Sequence, residues 1–111
     1  MTTASTEHNV TDTIGSLEPE QAVAIELDGN LIALVRTETG VHAVSNTCTH
    51  ADASLADGFV MENWIECPLH QARYDLSTGE LLDGPFCPAL PVYPIEQRDG
   101  QFFVKIEPAT A

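Results

Sequence analysis

The sequence predicts an all-β protein, an antiparallel sandwich or barrel that carries two metal-ligand loops as an inserted tip. Short apolar runs recur along the 111 residues with turn-forming residues between them, and no stretch reads as a convincing helix. Strands at such regular intervals fold as sandwiches or barrels. At this length the chain is one domain, small enough for a metal staple to add usefully to its core.

Met1 to about Asn9 is rich in Thr, Ser and Ala and reads as a disordered tail that includes His8. Val10 to Ile14 is expected to be an edge strand and Gly15 to Gln21 a loop, because Pro19 bars a regular ladder. Val23, Ile25 and Leu27 alternate with Ala and Glu, as in a half-buried strand. Asp28-Gly29-Asn30 forms a tight turn from which the chain returns through Leu31 to Val35. After a turn at Glu38-Thr39-Gly40, a strand from Val41 to Ser45 delivers the chain to Cys48. His42 on this strand reads as an ordinary rim histidine.

Asn46 to Ala56 is a loop whose small residues, Ala51, Ala53, Ser54 and Ala56, let backbone N–H groups approach a bound anion closely. Asp57-Gly58 turns into Phe59-Val60-Met61, Glu62-Asn63 turns again, and Trp64-Ile65-Glu66 leads into Cys67. A hairpin therefore joins the loop at Cys48 to the loop at Cys67 and brings both to one end of a sheet. Arg73 to Leu76 and Leu81-Leu82 are short strands around a turn at Ser77 to Glu80. Pro85, Pro88 and Pro91 stiffen the next stretch. Val92 to Ile95, a turn at Arg98-Asp99-Gly100 and a strand from Phe102 to Ile106 close the chain as a hairpin.

The two loops carry Cys48-Thr49-His50 and Cys67-Pro68-Leu69-His70, a C-x-H-x16-C-x2-H pattern. Two thiolates and two imidazoles in matched pairs are a metal-ligand set, open on type alone to tetrahedral zinc or to an iron-sulfur cluster. Structural zinc sites usually pair Cys with Cys and His with His at short range. One of each per loop suits instead a cluster with two unlike irons, one held by two Cys and the other by two His. Neutral imidazoles leave such a cluster less negative than four thiolates do, so adding an electron costs less and the potential rises.

On these residues, on Asp57-Gly58 between them and on Tyr74-Asp75-Leu76-Ser77-Thr78-Gly79 after them, the chain resembles the Rieske proteins, and among them the small soluble Rieske ferredoxins. The resemblance spans roughly residues 10 to 107. It implies one 2Fe-2S cluster with Cys48 and Cys67 on one iron and His50 and His70 on the other. It also implies the Rieske fold, with a basal β domain from residues 10–44 and 91–107 and a cluster-binding subdomain over residues 45–90. A proline-bearing loop covers the third side of the cluster in this family, a role that falls near Pro85 and Pro88.

Departures from the high-potential pattern are informative. Ala53 and Leu69 stand where respiratory and photosynthetic members carry an extra, disulfide-bonded cysteine pair, and Ala72 stands where they place a serine hydroxyl against a sulfide. Fewer donors stabilise the reduced cluster less, so the potential should lie toward the low end of the Rieske range of about −150 to +300 mV. Tyr74 runs the other way: its hydroxyl either bonds a ligand sulfur, as in high-potential members, or sits in water at the end of a core aromatic.

A cluster with saturated ligation has no open site for substrate, so the domain alone is a carrier and not an enzyme. A non-haem oxygenase centre would need two further His and a carboxylate on one iron, and only His8 and His42 remain. The resemblance implies a ferredoxin that accepts electrons from an NAD(P)H-dependent flavoprotein reductase and passes them to a terminal oxygenase acting on aromatic compounds. The exit points would be His50 and His70. Two other readings stay open: a small Rieske subunit of another redox complex such as a nitrite reductase, and a zinc-stapled interaction module.

Seventeen acidic against four basic residues give a formal charge of −13. Such a surface repels nucleic acid and anionic membranes and attracts basic protein patches, and it also keeps a protein soluble and monomeric. No apolar run approaches the ~18 residues of a membrane span, and the first residues lack a charged start followed by an apolar stretch, so the protein is expected to be soluble and cytoplasmic. Of three cysteines, Cys87 is left without a ligand role and reads as a small buried hydrophobe.

Overall fold

The computed structural model describes residues 6–47, 54–68, 72–83 and 89–106. β1 (Thr6–Asn9) and a one-turn helix α1 (Thr11–Gly15) precede a meander of β2 (Gln21–Leu27), β3 (Asn30–Arg36) and β4 (Val41–Ser45). A 3₁₀ turn at Leu55–Asp57 leads into β5 (Phe59–Met61), β6 (Trp64–Glu66), β7 (Arg73–Asp75) and β8 (Leu81–Asp83). The chain then passes through β9 (Val92–Tyr93), β10 (Ile95–Arg98) and β11 (Gln101–Ile106). These strands make three antiparallel sheets, ordered β1-β11-β10, β2-β3-β4-β9 and β5-β6-β7-β8. The all-β expectation holds, and β4, β5 and β6 have the boundaries read from the sequence.

Local chemistry explains the hairpins. Asp28 and Gly29 take φ of 51° and 79° between the closing pair Leu27 and Asn30, and Asp99 and Gly100 take 52° and 76° between Arg98 and Gln101. Two successive left-handed residues are what a two-residue turn needs to match the twist of its strands.

β3 is the wall of the molecule. Ile32 and Leu34 face one core with Val10, Ile14, Leu17, Ala43, Val104 and Ile106, while Ala33 and Val35 face another with Val44, Leu55, Ile65, Tyr74 and Leu76. A strand buried on both faces reads as a continuous apolar run, and Leu31 to Val35 is such a run. The first core lies between the sheets made by the two chain ends and the second lies under the β5–β8 sheet.

Two expectations fail near the N-terminus. Thr6–Asn9 is not part of a tail, because it pairs with β11 from Thr6 opposite Ile106 to Asn9 opposite Phe103. Its polar side chains find partners in the folded chain: Glu7 meets Arg98 of the same sheet at 2.7 Å, and His8 Nε2 lies 3.0 Å from the Asp28 carboxylate in the β2–β3 turn of another sheet. Val10 to Ile14 is not an edge strand. Val10, Ile14 and Leu17 sit at i, i+4 and i+7, the spacing of one helical face, and all three are buried against β3 and β11.

His42, opposite Val35 on β4, is half-buried where the β2–β3–β4–β9 sheet meets Asp75, Leu76 and Ser77. Burial lowers its pKa below the ordinary 6.5, and the nearby Asp75 carboxylate raises it less. The unfolded chain therefore binds this proton more readily than the folded one. The stability from neutral His42 is fully present above about pH 6.5 and is lost as pH falls below that value. His42→Gln should flatten the loss of unfolding midpoint between about pH 7 and pH 5, measured by thermal melts of both proteins.

Candidate metal centre

Of the four sequence-predicted ligands the structure describes Cys67. Cys48, His50 and His70 lie outside the described residues, as do Ala51, Ala53, Leu69, Pro85, Cys87 and Pro88. Cys67 follows β6 and is fully buried, with Leu55, Ile65, Ala72 and Tyr74 in the same core. It forms no disulfide. A buried, unbridged sulfur at the mouth of a loop is the kind of donor that an iron-sulfur cluster requires, so this end of the set fits the group.

Backbone pairing fixes where each ligand segment leaves and re-enters the sheet framework. Thr47 and Ser54 form an isolated antiparallel bridge that brackets residues 48–53. The Cys67 N–H donates to the Ala72 carbonyl at 2.8 Å, bracketing residues 68–71. Both brackets rest on the core that contains Leu55 and Cys67 together. The hairpin β5–β6 joins them, as the sequence implied.

Asn46 is the residue that sequence reasoning missed. It is buried, and its N–H donates to the Leu31 carbonyl at 3.0 Å, tying it to β3. Its carbonyl accepts from the Leu55 N–H at 2.8 Å, its Oδ1 from the Ala56 N–H at 2.9 Å, and its Nδ2 donates to Ser54 Oγ at 2.9 Å. One residue thus ties together the two described ends of the segment 48–53. The expectation that small residues free their N–H groups for a bound anion is corrected at Ala56, whose N–H is engaged by Asn46.

Gly58 and Gly79 serve close approach. A Cβ at Gly58 would collide with the Glu66 carbonyl oxygen and stand 3.2 Å from Pro68 Cδ, so only glycine lets the chain pass against the second ligand segment. At Gly79, with φ of +79°, a Cβ would collide with the Leu90 carbonyl oxygen, and the Leu90 N–H donates to the Gly79 carbonyl at 2.8 Å. That contact holds the far end of the connection carrying the prolines.

Tyr74 is fully buried, which removes the reading that places its hydroxyl in water. Ala72 is also fully buried and brings no hydroxyl. Among the described residues no three of His, Cys, Asp and Glu converge on one point, and no helix is long and apolar enough to cross a membrane.

Asn46→Ala should lower the unfolding free energy by about 1–3 kcal/mol, the cost of leaving buried partners unpaired. It should also hasten cluster loss to an iron chelator, followed as bleaching of the visible absorbance.

Residues 8–94 match the Rieske [2Fe-2S] domain family. Over 85 residues the chain is 38% identical to the ferredoxin component of the naphthalene 1,2-dioxygenase/salicylate 5-hydroxylase systems of Ralstonia sp., covering 77% of this chain and 82% of that one. Its fold superposes with a TM-score of 0.74 on a chain in the complex of reduced oxygenase and oxidised ferredoxin in carbazole 1,9a-dioxygenase, at 28% identity over 81% of this chain and 84% of that one. The putative NADH-dependent nitrite reductase small subunit of Mycobacterium tuberculosis also gives 0.74, at 28% identity over 95% and 96% of the two chains.

Proposed function

Because the chain belongs to the Rieske [2Fe-2S] family, we propose that it is a cytoplasmic one-electron carrier holding one 2Fe-2S cluster, which relays electrons from an NAD(P)H-dependent flavoprotein reductase to a terminal oxygenase acting on aromatic compounds. The observation that carries this reading is the likeness to a dioxygenase ferredoxin component over most of both chains. The cluster is a one-electron couple when bound. Cys48 and Cys67 hold one iron, and His50 and His70 hold the other. Support for the ligand set comes from the buried Cys67 sulfur and from the two backbone brackets, one around residues 48–53 and one around 68–71.

Residues 45–90 act as the cluster-binding subdomain, carried on a basal β domain built from residues 10–44 and 91–107. The placement of all four strands of the β5–β8 sheet between residues 59 and 83 supports this division.

An acidic exterior supports the carrier role. All four basic residues are engaged within the chain: Arg36 donates to the Leu17 carbonyl, Arg73 pairs with Glu66, Arg98 with Glu7 and Glu96, and Lys105 with Glu96 and Glu7. What the protein shows an approaching partner is therefore negative. The second-order rate of reduction by the flavoprotein reductase should fall as ionic strength rises, and stopped-flow rates across a salt series check this.

A second reading, a small subunit fixed in a nitrite-reductase-type complex, is favoured by the near full-length likeness to the Mycobacterium tuberculosis chain. Stable co-purification with a large subunit would select it.

The deciding experiment is an anaerobic redox titration followed by electron paramagnetic resonance. A mixed-ligand 2Fe-2S signal with a midpoint toward the low end of about −150 to +300 mV is expected. Tyr74→Phe should lower that midpoint if the buried hydroxyl bonds a ligand sulfur. No signal at any potential would refute the carrier reading and return the ligand set to zinc.

A further inference from the structure

The β5–β8 sheet has two unlike faces. Val60, Ile65, Tyr74 and Leu81 stand in register across the four strands and turn into the core. By alternation Phe59, Met61, Trp64, Glu66, Arg73 and Asp75 turn outward. Elsewhere the exposed large apolar side chains, Leu31, Leu82 and Val92, stand one to a strand, and the other outward strand positions include Gln21 and Glu26 on β2, Gln97 and Arg98 on β10 and Gln101 on β11. Here the edge strand β5 instead shows Phe59 at 67% and Met61 at 54% exposure.

Register makes these residues one strip. Met61 lies opposite Trp64, and Phe59 lies two residues along the same face from Met61. The Arg73 guanidinium stacks 4.7 Å from the centre of the Trp64 ring, and its Nε donates to Glu66 Oε1 at 2.9 Å, so the one cation on this face is pinned and paired. Glu62 in the β5–β6 turn, Asp75 opposite Trp64 and Asp83 opposite Arg73 form an acidic rim. An apolar edge strand is an aggregation hazard unless something covers it.

The strip also starts beside the metal centre. Phe59 is opposite Glu66, the residue before Cys67, and the Gly58 backbone passes against Glu66 and Pro68. A protein seated on Phe59 is thus within a few residues of a proposed ligand.

We propose that Phe59, Met61 and Trp64, rimmed by Glu62, Asp75 and Asp83, are the seat of the terminal oxygenase, which presents an apolar projection flanked by Lys or Arg. The proposal rests on the carrier reading and adds to it the surface and the partner's chemistry. Charge complementarity favours a basic occupant: the rim is acidic, the formal charge is −13, and each Lys and Arg side chain of this chain is already engaged within it.

The test uses the holoprotein and, as probes, the purified oxygenases of the Ralstonia naphthalene system and of carbazole 1,9a-dioxygenase. Phe59→Thr/Met61→Thr should raise the Kd for an oxygenase that accepts electrons from the wild type by at least tenfold, with visible spectrum and midpoint potential unchanged. Leu31→Thr, at an equally exposed apolar position on β3, should stay within twofold. If the double variant loses its cluster, Met61→Gln alone carries the comparison, with about a threefold rise expected. An unchanged Kd, an equal loss in Leu31→Thr, or a defect confined to the reductase reaction would overturn the assignment. So would a wild-type dimer in sedimentation that the substitutions dissociate. Wild-type protein that passes no electrons to either oxygenase would sink the carrier reading itself, whereas transfer kept by wild type and variant alike sinks the surface alone.

Discussion

The burial of β3 on both faces is the constraint on which the rest depends. A strand with water on one side can slip in register or tilt at modest cost, but Ile32 and Leu34 in one core and Ala33 and Val35 in the other are locked from both sides. β4 shares the duty, with Ala43 turned to one core and Val44 to the other. This wall unites the sheets built from the chain ends with the β5–β8 sheet. The Asn46 N–H bonds to Leu31 on it, so the residue that leads into the first proposed ligand segment is positioned by the wall directly.

From that wall the ends of the two proposed ligand segments are held by backbone rather than by long side chains. The Thr47–Ser54 bridge, the Cys67–Ala72 bond and the Asn46 amide set the loop ends, and Gly58 removes the side chain that would part them. Fixed loop ends suit an electron carrier, because reorganisation on changing charge is smaller when the frame around its centre relaxes less. Asn46 does more here than any neighbouring ion pair could. Its bonds lie in a buried setting where each unmade bond costs about 1–3 kcal/mol, while an exposed pair is worth about 0–1 kcal/mol.

Much of this was legible in the chain because the signals are local. Asp28-Gly29 and Asp99-Gly100 specify their hairpins within two residues, Leu31 to Val35 announces a buried strand, and the Cys-His pairs announce a metal. What stayed hidden is settled across the fold. Thr6–Asn9 has no apolar pattern, since its strand character comes from β11, almost a whole chain length away. Val10, Ile14 and Leu17 do carry a helical spacing, but over so few residues that it is hard to tell from a strand end followed by a loop. Asn46 looks like any loop asparagine until Ser54 and Ala56 come round to meet it, and Gly58 looks like a turn glycine until Glu66 lies against it.

Charge and apolar surface divide the work of recognition by range. At physiological salt a carboxylate is felt over about 8 Å, far enough for the acidic exterior to orient a basic partner before contact. Once in contact, an exposed ion pair adds little, whereas fully burying a Phe or Met side chain is worth about 1.5–3 kcal/mol. A carrier must also let go after each electron, so an extensive apolar interface would defeat it. A strip as short as Phe59, Met61 and Trp64 inside an acidic field meets both demands: the field raises the rate of encounter, and the small strip gives enough affinity to orient the partner without holding it.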